Sequence, residues 1–280
     1  MLHRDFGSEI EYNQGNPALT EVAGIELPLV GSLAIRLQGG FVTRCVLTSP
    51  SLGEAIPVLY ADDDLTDPKL TATHIMSPVG PDNDGFGGNH GFPRFANYHA
   101  FAKWVDKDSG AVTLPLQAKR SDMGLGLSKK FSLVANKLVS TTVLRNNGED
   151  PEETSLGEHN YFTLKDANPT GMTVNGKSLD VILGAGATDK IMSGNAQYWP
   201  SFPGIARIAF PAGYGVDLSA VALRNGAASE DNVGMLFWHK AGSPSICFEP
   251  TVGFDMPDRN KGAVIPGYSA LGLKTEIELL

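Results

Sequence analysis

Apolar residues along this chain recur at every second position for most of its length, and that period restricts it to folds built from strands. The clearest run closes the sequence. Leu271, Leu273, Thr275, Ile277 and Leu279 share one parity, while Gly272, Lys274, Glu276 and Glu278 share the other, the pattern of a strand with one buried and one solvated face. Leu33, Ile35 and Leu37 alternate in the same way before Gly39-Gly40 interrupts them, and a second run follows at residues 41–47. Further strands are predicted at residues 55–60, 112–118, 125–135, 138–144, 161–164, 179–183, 205–210, 216–223, 234–239 and 245–248. Asn146-Asn147-Gly148 and Asn175-Gly176 read as turns, and Asn136-Lys137 as the link of a hairpin. No window of ten residues has helical periodicity, and short helices are expected only within residues 64–76. Many closely spaced strands without intervening helices predict an all-β fold, a large antiparallel β-sandwich. No change of composition and no repeat divides the chain, so one domain is expected over residues 1–280.

Composition narrows the partners. The chain has 22 Lys and Arg against 31 Asp and Glu, a net charge of −9, with no basic run. Nucleic-acid affinity rests on phosphate contacts from basic side chains, so neither DNA nor RNA is expected as a partner. No stretch approaches the ~18 apolar residues of a membrane span, and the opening residues lack the apolar core of a secretory signal. A cytoplasmic, non-membrane protein is the expectation. Cys45 and Cys247 lie far apart, fit neither a zinc-ligand spacing nor a disulfide framework, and read as small core residues.

Three segments carry residues with chemistry. In Pro81-Asp82-Asn83-Asp84-Gly85-Phe86-Gly87-Gly88-Asn89-His90-Gly91-Phe92-Pro93-Arg94, a glycine-rich loop presents His90 and Arg94. Its acidic cluster lacks calcium-loop spacing, with Phe86 and Pro93 at ligand positions, and its glycines miss both nucleotide-loop patterns. A solvated turn is the expected reading there, and a structural metal at residues 82–85 is left open. The second segment, Gly157-Glu158-His159-Asn160-Tyr161-Phe162, offers His159 either as a hydrogen-bonded core residue or as a proton carrier. In the third, Ile246-Cys247-Phe248-Glu249-Pro250, Glu249 ends an apolar run before a proline expected to stop the strand. It reads either as an edge residue in water or as a general base with a tuned pKa.

Taken in order, these segments resemble one family. His90-Gly91-Phe92-Pro93-Arg94 followed by Trp104 resembles the H-G-F-A-R…W segment of the aldose 1-epimerase (mutarotase) family, and more closely that of its hexose-6-phosphate 1-epimerase branch. Gly157 to Phe162 is similar to the family's G-x-H-x-Y-F, Cys247-Phe248-Glu249-Pro250 to its C-x-E-P, and Thr188-Asp189-Lys190-Ile191 to its T-D-R-I/V. Trp238 and Ile265-Pro266-Gly267 also fall in place, and the likeness runs from about residue 30 to 280. The resemblance implies a galactose mutarotase-like supersandwich and an isomerase that interconverts hexose anomers without a cofactor or a catalytic metal. It implies Glu249 as base and His159 as acid, with His90, Arg94 and Asp189 binding the sugar; Asp217 competes for the role of Asp189. Phe92, Tyr161 and Trp199 are candidates for an aromatic platform.

The residue types suit that chemistry. Anomer exchange needs one base and one acid in reach of O1 and O5, and a carboxylate with an imidazolium supplies them. Where the phosphosugar branch has R-G-G, this chain has Thr73-His74-Ile75-Met76-Ser77-Pro78, without arginine, so free and 6-phosphorylated hexoses both remain open. Lys103, Lys119 and Arg120 are the cations considered for an anion site. The alternative function is a non-catalytic carbohydrate-binding or regulatory module on the same sandwich. Glycoside hydrolysis fits less well, because it calls for two facing carboxylates. The expected partner is a small sugar, bound by a monomer or weak homodimer.

Overall fold

A computed structural model describes residues 22–27, 29–67, 70–80, 90–119, 124–164, 169–256 and 262–280. The acidic cluster at residues 82–85, the loop glycines before His90, Arg120 and the side chain of Lys119 lie outside the described residues.

Period-two alternation resolves into two large antiparallel sheets, with strands numbered in chain order. Among the described residues the first sheet runs β1 (Val22–Leu27), β2 (Gly31–Arg36), β3 (Phe41–Thr48), β4 (Ala55–Leu59), β12 (Leu156–Thr163), β19 (Ser245–Val252), β18 (Val233–Trp238), β14 (Gln197–Trp199), and β5 (His74–Met76) also pairs with β12. The second runs β13 (Thr173–Val174), β15 (Ile205–Ala209), β16 (Gly215–Arg224), β21 (Ala270–Leu279), β10 (Lys137–Asn146), β9 (Leu125–Val134), β8 (Val112–Lys119), β6 (His99–Ala100). Two further strands flank it, β7 (Trp104–Val105) on β8 and β17 (Ala227–Ala228) on β16, and a small ribbon pairs β11 (Glu152–Thr154) with β20 (Ala263–Ile265). The fold is an all-β antiparallel sandwich.

One apolar cluster joins the sheets. Phe162, Phe237 and Phe248 from the first meet Leu127, Leu144, Leu218 and Ile277 from the second, all nearly solvent-free. Phe248 takes Phe162 and Phe237 edge-on at 5.5 and 5.2 Å, the arrangement aromatic quadrupoles favour. Each such ring adds about 1.5–3 kcal/mol by leaving water. Amid this apolar layer sits a buried polar knot. Glu158 of β12 accepts from the Lys129 ammonium on β9, from Ser140 Oγ on β10 at 2.8 Å and from Thr275 Oγ1 on β21 at 2.6 Å. A charge this deep is tolerable only with such partners.

Local signals explain the turns. Asn175 and Gly176 both have positive φ, 52° and 71°, closing Val174 onto Lys177 as a type I′ turn. Val134 pairs with Lys137, as expected of the hairpin between β9 and β10. Three local expectations are corrected. Residues 179–183 form not a strand but α1 (Leu179–Leu183), and α2 (Ala187–Met192) follows it. A five-residue apolar run has no period long enough to separate the two, and here Ser178 and Gly184 bracket a helical turn. Among the described residues of 64–76 there is no helix, only a turn and β5, whose residues are held by pairing with β12. Pro250 does not end its strand either: β19 continues to Val252, because Thr251 and Val252 find partners on both neighbouring strands.

Candidate active site

β12 and β19 are buried on both faces, so alternation sends one set of side chains into the sandwich and the other into a cleft on the sheet's outer side. Phe162, Ile246 and Phe248 point inward; His159, Tyr161 and Glu249 line the cleft, whose volume is about 410 Å3. The register then brings sequence-distant residues together. Gly157 pairs with Thr251 and Asn160 with Phe248, which sets His159 opposite Glu249 at a gap in the ladder where Pro250 has no N–H to give. On the other edge of β12, His159 faces His74 of β5, and on the far side of β19, Glu249 faces Leu236 of β18. One row across four strands therefore reads His74, His159, Glu249, Leu236. The next row is Tyr161, Cys247, Trp238.

His159 Nε2 and Glu249 Oε1 are 3.2 Å apart, with both side chains 5% exposed. The His159 ring stacks on Tyr161 at 4.4 Å and on His74 at 5.0 Å, and meets His90 and Trp238 edge-on at 5.1 and 6.0 Å. His74 is fixed because its Nδ1–H donates to the Ala72 carbonyl at 2.6 Å. Trp238 is fixed through Nε1–H to the Gly194 carbonyl at 2.9 Å. Cys247, on the same face as Glu249, places its sulfur within 4.8 Å of donor atoms on His159 and Glu249.

His90 and Arg94 enter from a loop whose path a single glycine permits. Gly91 has φ 70°, and a Cβ there would sit 1.8 Å from the Ser77 carbonyl oxygen, so no other residue fits. The backbone of His90 is clamped on both sides of this point: its N–H donates to the Gly80 carbonyl and its carbonyl accepts from the Ser77 N–H. A short 3-10 turn, Phe92–Arg94, follows; Pro93 lies in its first turn, where a missing N–H costs nothing. It ends with the Arg94 guanidinium 5.8 Å from the centre of the Phe41 ring.

Burial sets the charge state. Glu249 is pushed up to about 8 by desolvation alone. His159 is held well below 6.5 by burial and then by His74, His90 and Arg94, and His90 falls to about 3 through burial and Arg94. His74 is lowered in the same way, by burial first and then by His90 and Arg94. Burial thus favours the uncharged form of all three imidazoles and of the Glu249 carboxyl, which biases the proton of the His159–Glu249 pair toward the carboxyl.

Of the five residues expected at a site, His159, Glu249, His90 and Arg94 line this cleft. Asp189 does not: it is exposed in the first turn of α2. Asp217 is engaged elsewhere, bonded to Arg207 at 2.7 Å across β15 and β16. Tyr161 lines the cleft, Phe92 is buried, and Trp199 packs against Phe202 and Phe237. Lys103 donates to the Gly24 carbonyl and is not a lining residue, and Trp104 is an exposed edge residue. Sequence reasoning passed over His74, whose only mark was a histidine opening a short apolar run. It also passed over Lys240, an exposed cation on the cleft wall two residues beyond Trp238.

No protein-family model and no curated protein sequence matches the chain. Solved structures do match its fold. The Slr1438 protein from Synechocystis aligns at TM-score 0.70 with 18% identity, over 92% of this chain and 95% of that one. A galactose mutarotase-like protein from Lactobacillus casei aligns at 0.63 with 15% identity, over 93% and 100%. An aldose epimerase homologue from C. elegans aligns at 0.58 with 11% identity, over 93% and 98%. The fold is galactose mutarotase-like.

Proposed function

We propose that this chain is an isomerase of the aldose 1-epimerase type, interconverting the α and β anomers of a hexose in the cleft above β12 and β19. The observation that carries the reading is the buried His159–Glu249 pair, 3.2 Å apart on the floor of an open cleft. Ring opening requires that a proton leave the C1 hydroxyl while another reaches the ring oxygen. A pair that already holds one proton between two sites meets both needs. Sugar hydroxyls hydrogen-bonded to Glu249 stabilise its carboxylate and pass the shared proton to His159. Glu249 then takes the proton from O1, His159 gives its own to O5, and the C1–O5 bond breaks to leave the open-chain aldehyde. Rotation about C1–C2 and the reverse transfers close the ring with the other face of C1, restoring the pair. Nothing is consumed.

The other lining residues bind rather than react. Arg94 offers its planar fork to hydroxyls, His90 supplies a neutral imidazole beside His159, and Tyr161 and Trp238 present apolar ring area to the C–H side of a pyranose. Arg94 and Lys240 put two cations along the same cleft, which leaves a 6-phosphate as acceptable as a free hydroxymethyl group.

NMR exchange spectroscopy on glucose, galactose and glucose 6-phosphate tests the reading. Exchange faster than the uncatalysed rate is expected with at least one sugar, abolished in Glu249→Gln and reduced about 10²- to 10⁴-fold in His159→Ala. Unchanged exchange across a broad panel of aldoses and their phosphates overturns it.

A further inference from the structure

The row geometry that pairs His159 with Glu249 assembles a third donor that anomer exchange does not use. Cys247 and Glu249 are two residues apart on β19 and leave the same face, while His159 reaches them from the register position opposite Glu249. The thiol sulfur, an imidazole nitrogen and a carboxylate oxygen all lie within 4.8 Å of one another. The 3.2 Å between His159 Nε2 and Glu249 Oε1 also matches the spacing of two ligands on one tetrahedral ion, about 3.3 Å for bonds of about 2.0 Å. His159 and Glu249 are direct cross-strand neighbours, whose side chains start about 5 Å apart, and Cys247, diagonal to His159 on the same face, closes the remaining gap by side-chain rotation.

We infer that this corner of the cleft binds a thiophilic divalent cation of the Zn2+ kind, and that the bound ion shuts off anomer exchange. The donor set decides the class of ion: one sulfur and one nitrogen beside one oxygen exclude Mg2+ and Ca2+, which take oxygen cages. The balance is simple. One M2+ enters, the Cys247 thiol releases its proton together with any proton held between His159 and Glu249, and the ion is held by thiolate, carboxylate and neutral imidazole. The assembled group carries no net charge, the condition for holding an ion in a buried place beside Arg94. Three protein ligands leave the fourth position facing the cleft. Occupancy takes the His159 and Glu249 lone pairs that accept and deliver protons, so the proposed reaction stops while the fold is unchanged. This inference rests on the proposed function only for its inhibitory half.

The test uses the full chain freed of metal by chelation. Titration with ZnCl2 in competition with a chromophoric chelator is expected to give one site, tighter as pH rises because the thiol must ionise to bind. MgCl2 is expected to leave it empty. Cys247→Ser should weaken Zn2+ binding at least about tenfold, because a hydroxyl stays protonated where a thiol ionises. Co2+ should give a thiolate-to-metal absorption band in the parent protein that is absent in Cys247→Ser and in Cys247→Ala. Anomer exchange, read against each protein's metal-free rate, should stop in the parent at one equivalent of Zn2+ and resist it in both variants. Equal Zn2+ affinity in parent and variants, or absence of the thiolate band, overturns the site. Exchange that persists in the Zn2+-loaded parent overturns the switch. No exchange in the metal-free parent with any sugar instead removes the proposed function, while the titration and the Co2+ spectrum still read the site.

Discussion

At the scale of single residues, the proton shared by His159 and Glu249 governs behaviour with pH. Above about 8 the pair loses it, so the acid is missing and the rate of anomer exchange should fall. On the acid side the rate should hold through pH 6.5, since His159 takes a second proton only well below its usual range. A rate profile centred on the ordinary histidine pKa would contradict this assignment. Stability should follow the same groups. The raised pKa of Glu249 means that its carboxyl favours the native state fully below about 4.5 and loses that advantage as pH climbs to about 8. His90, lowered to about 3, works in the opposite sense: its contribution is present above 6.5 and is lost as pH falls. Urea denaturation should therefore show Glu249→Gln gaining on the parent protein between pH 4.5 and 8, with a constant difference above. The positions of His159 and Glu249 were legible as chemistry in the sequence, but their resting protonation was not, because it depends on water excluded by residues distant in the chain.

At the scale of elements, β12 does two jobs on two faces. Its cleft face carries His159 and Tyr161; its inner face carries Glu158, held by Lys129, Ser140 and Thr275 of the second sheet. Removing the cation alone strands a buried carboxylate, so Lys129→Met should cost about 3–5 kcal/mol in urea denaturation. Lys129→Met with Glu158→Leu should recover more than half of that, because no charge then remains in the apolar layer. The same duality explains why the sequence disclosed only the second half of this strand. Residues 157–160 carry glycine, acid, histidine and amide where an ordinary central strand would be apolar, so the alternation fades where the site begins. Pro250 misled for a related reason: it marks not the end of β19 but the opening in its ladder beside Glu249. The long amphipathic strands, β9, β10, β16 and β21, were legible because one face of each is solvated. Asp189 stays out of the cleft because its motif falls on a short helix that holds it exposed in the first turn, which the sequence pattern did not disclose.

At the scale of the molecule, a chain with net charge −9 surrounds a cleft bearing Arg94 and Lys240. If a phosphorylated sugar is turned over, Lys240→Ala should raise its apparent KM about tenfold and that of the free hexose far less, with added salt mimicking the loss. Equal effects on both sugars would place the phosphate elsewhere. The sandwich itself was legible from periodicity, but sheet order was not, since alternation says which face is buried and nothing about which strand lies alongside. That order has a consequence for synthesis. β21 lies between β10 and β16, pairing with each along most of its length, yet it follows both of them in the chain. While a ribosome is still making residues 270–279, the two ten-residue strands that will flank them each present an open, hydrogen-bonding edge. A stop introduced after residue 269 should therefore yield not a smaller sandwich but insoluble protein, as sedimentation of the expressed product would show. The second sheet is closed from its middle, by a strand made after both of its neighbours.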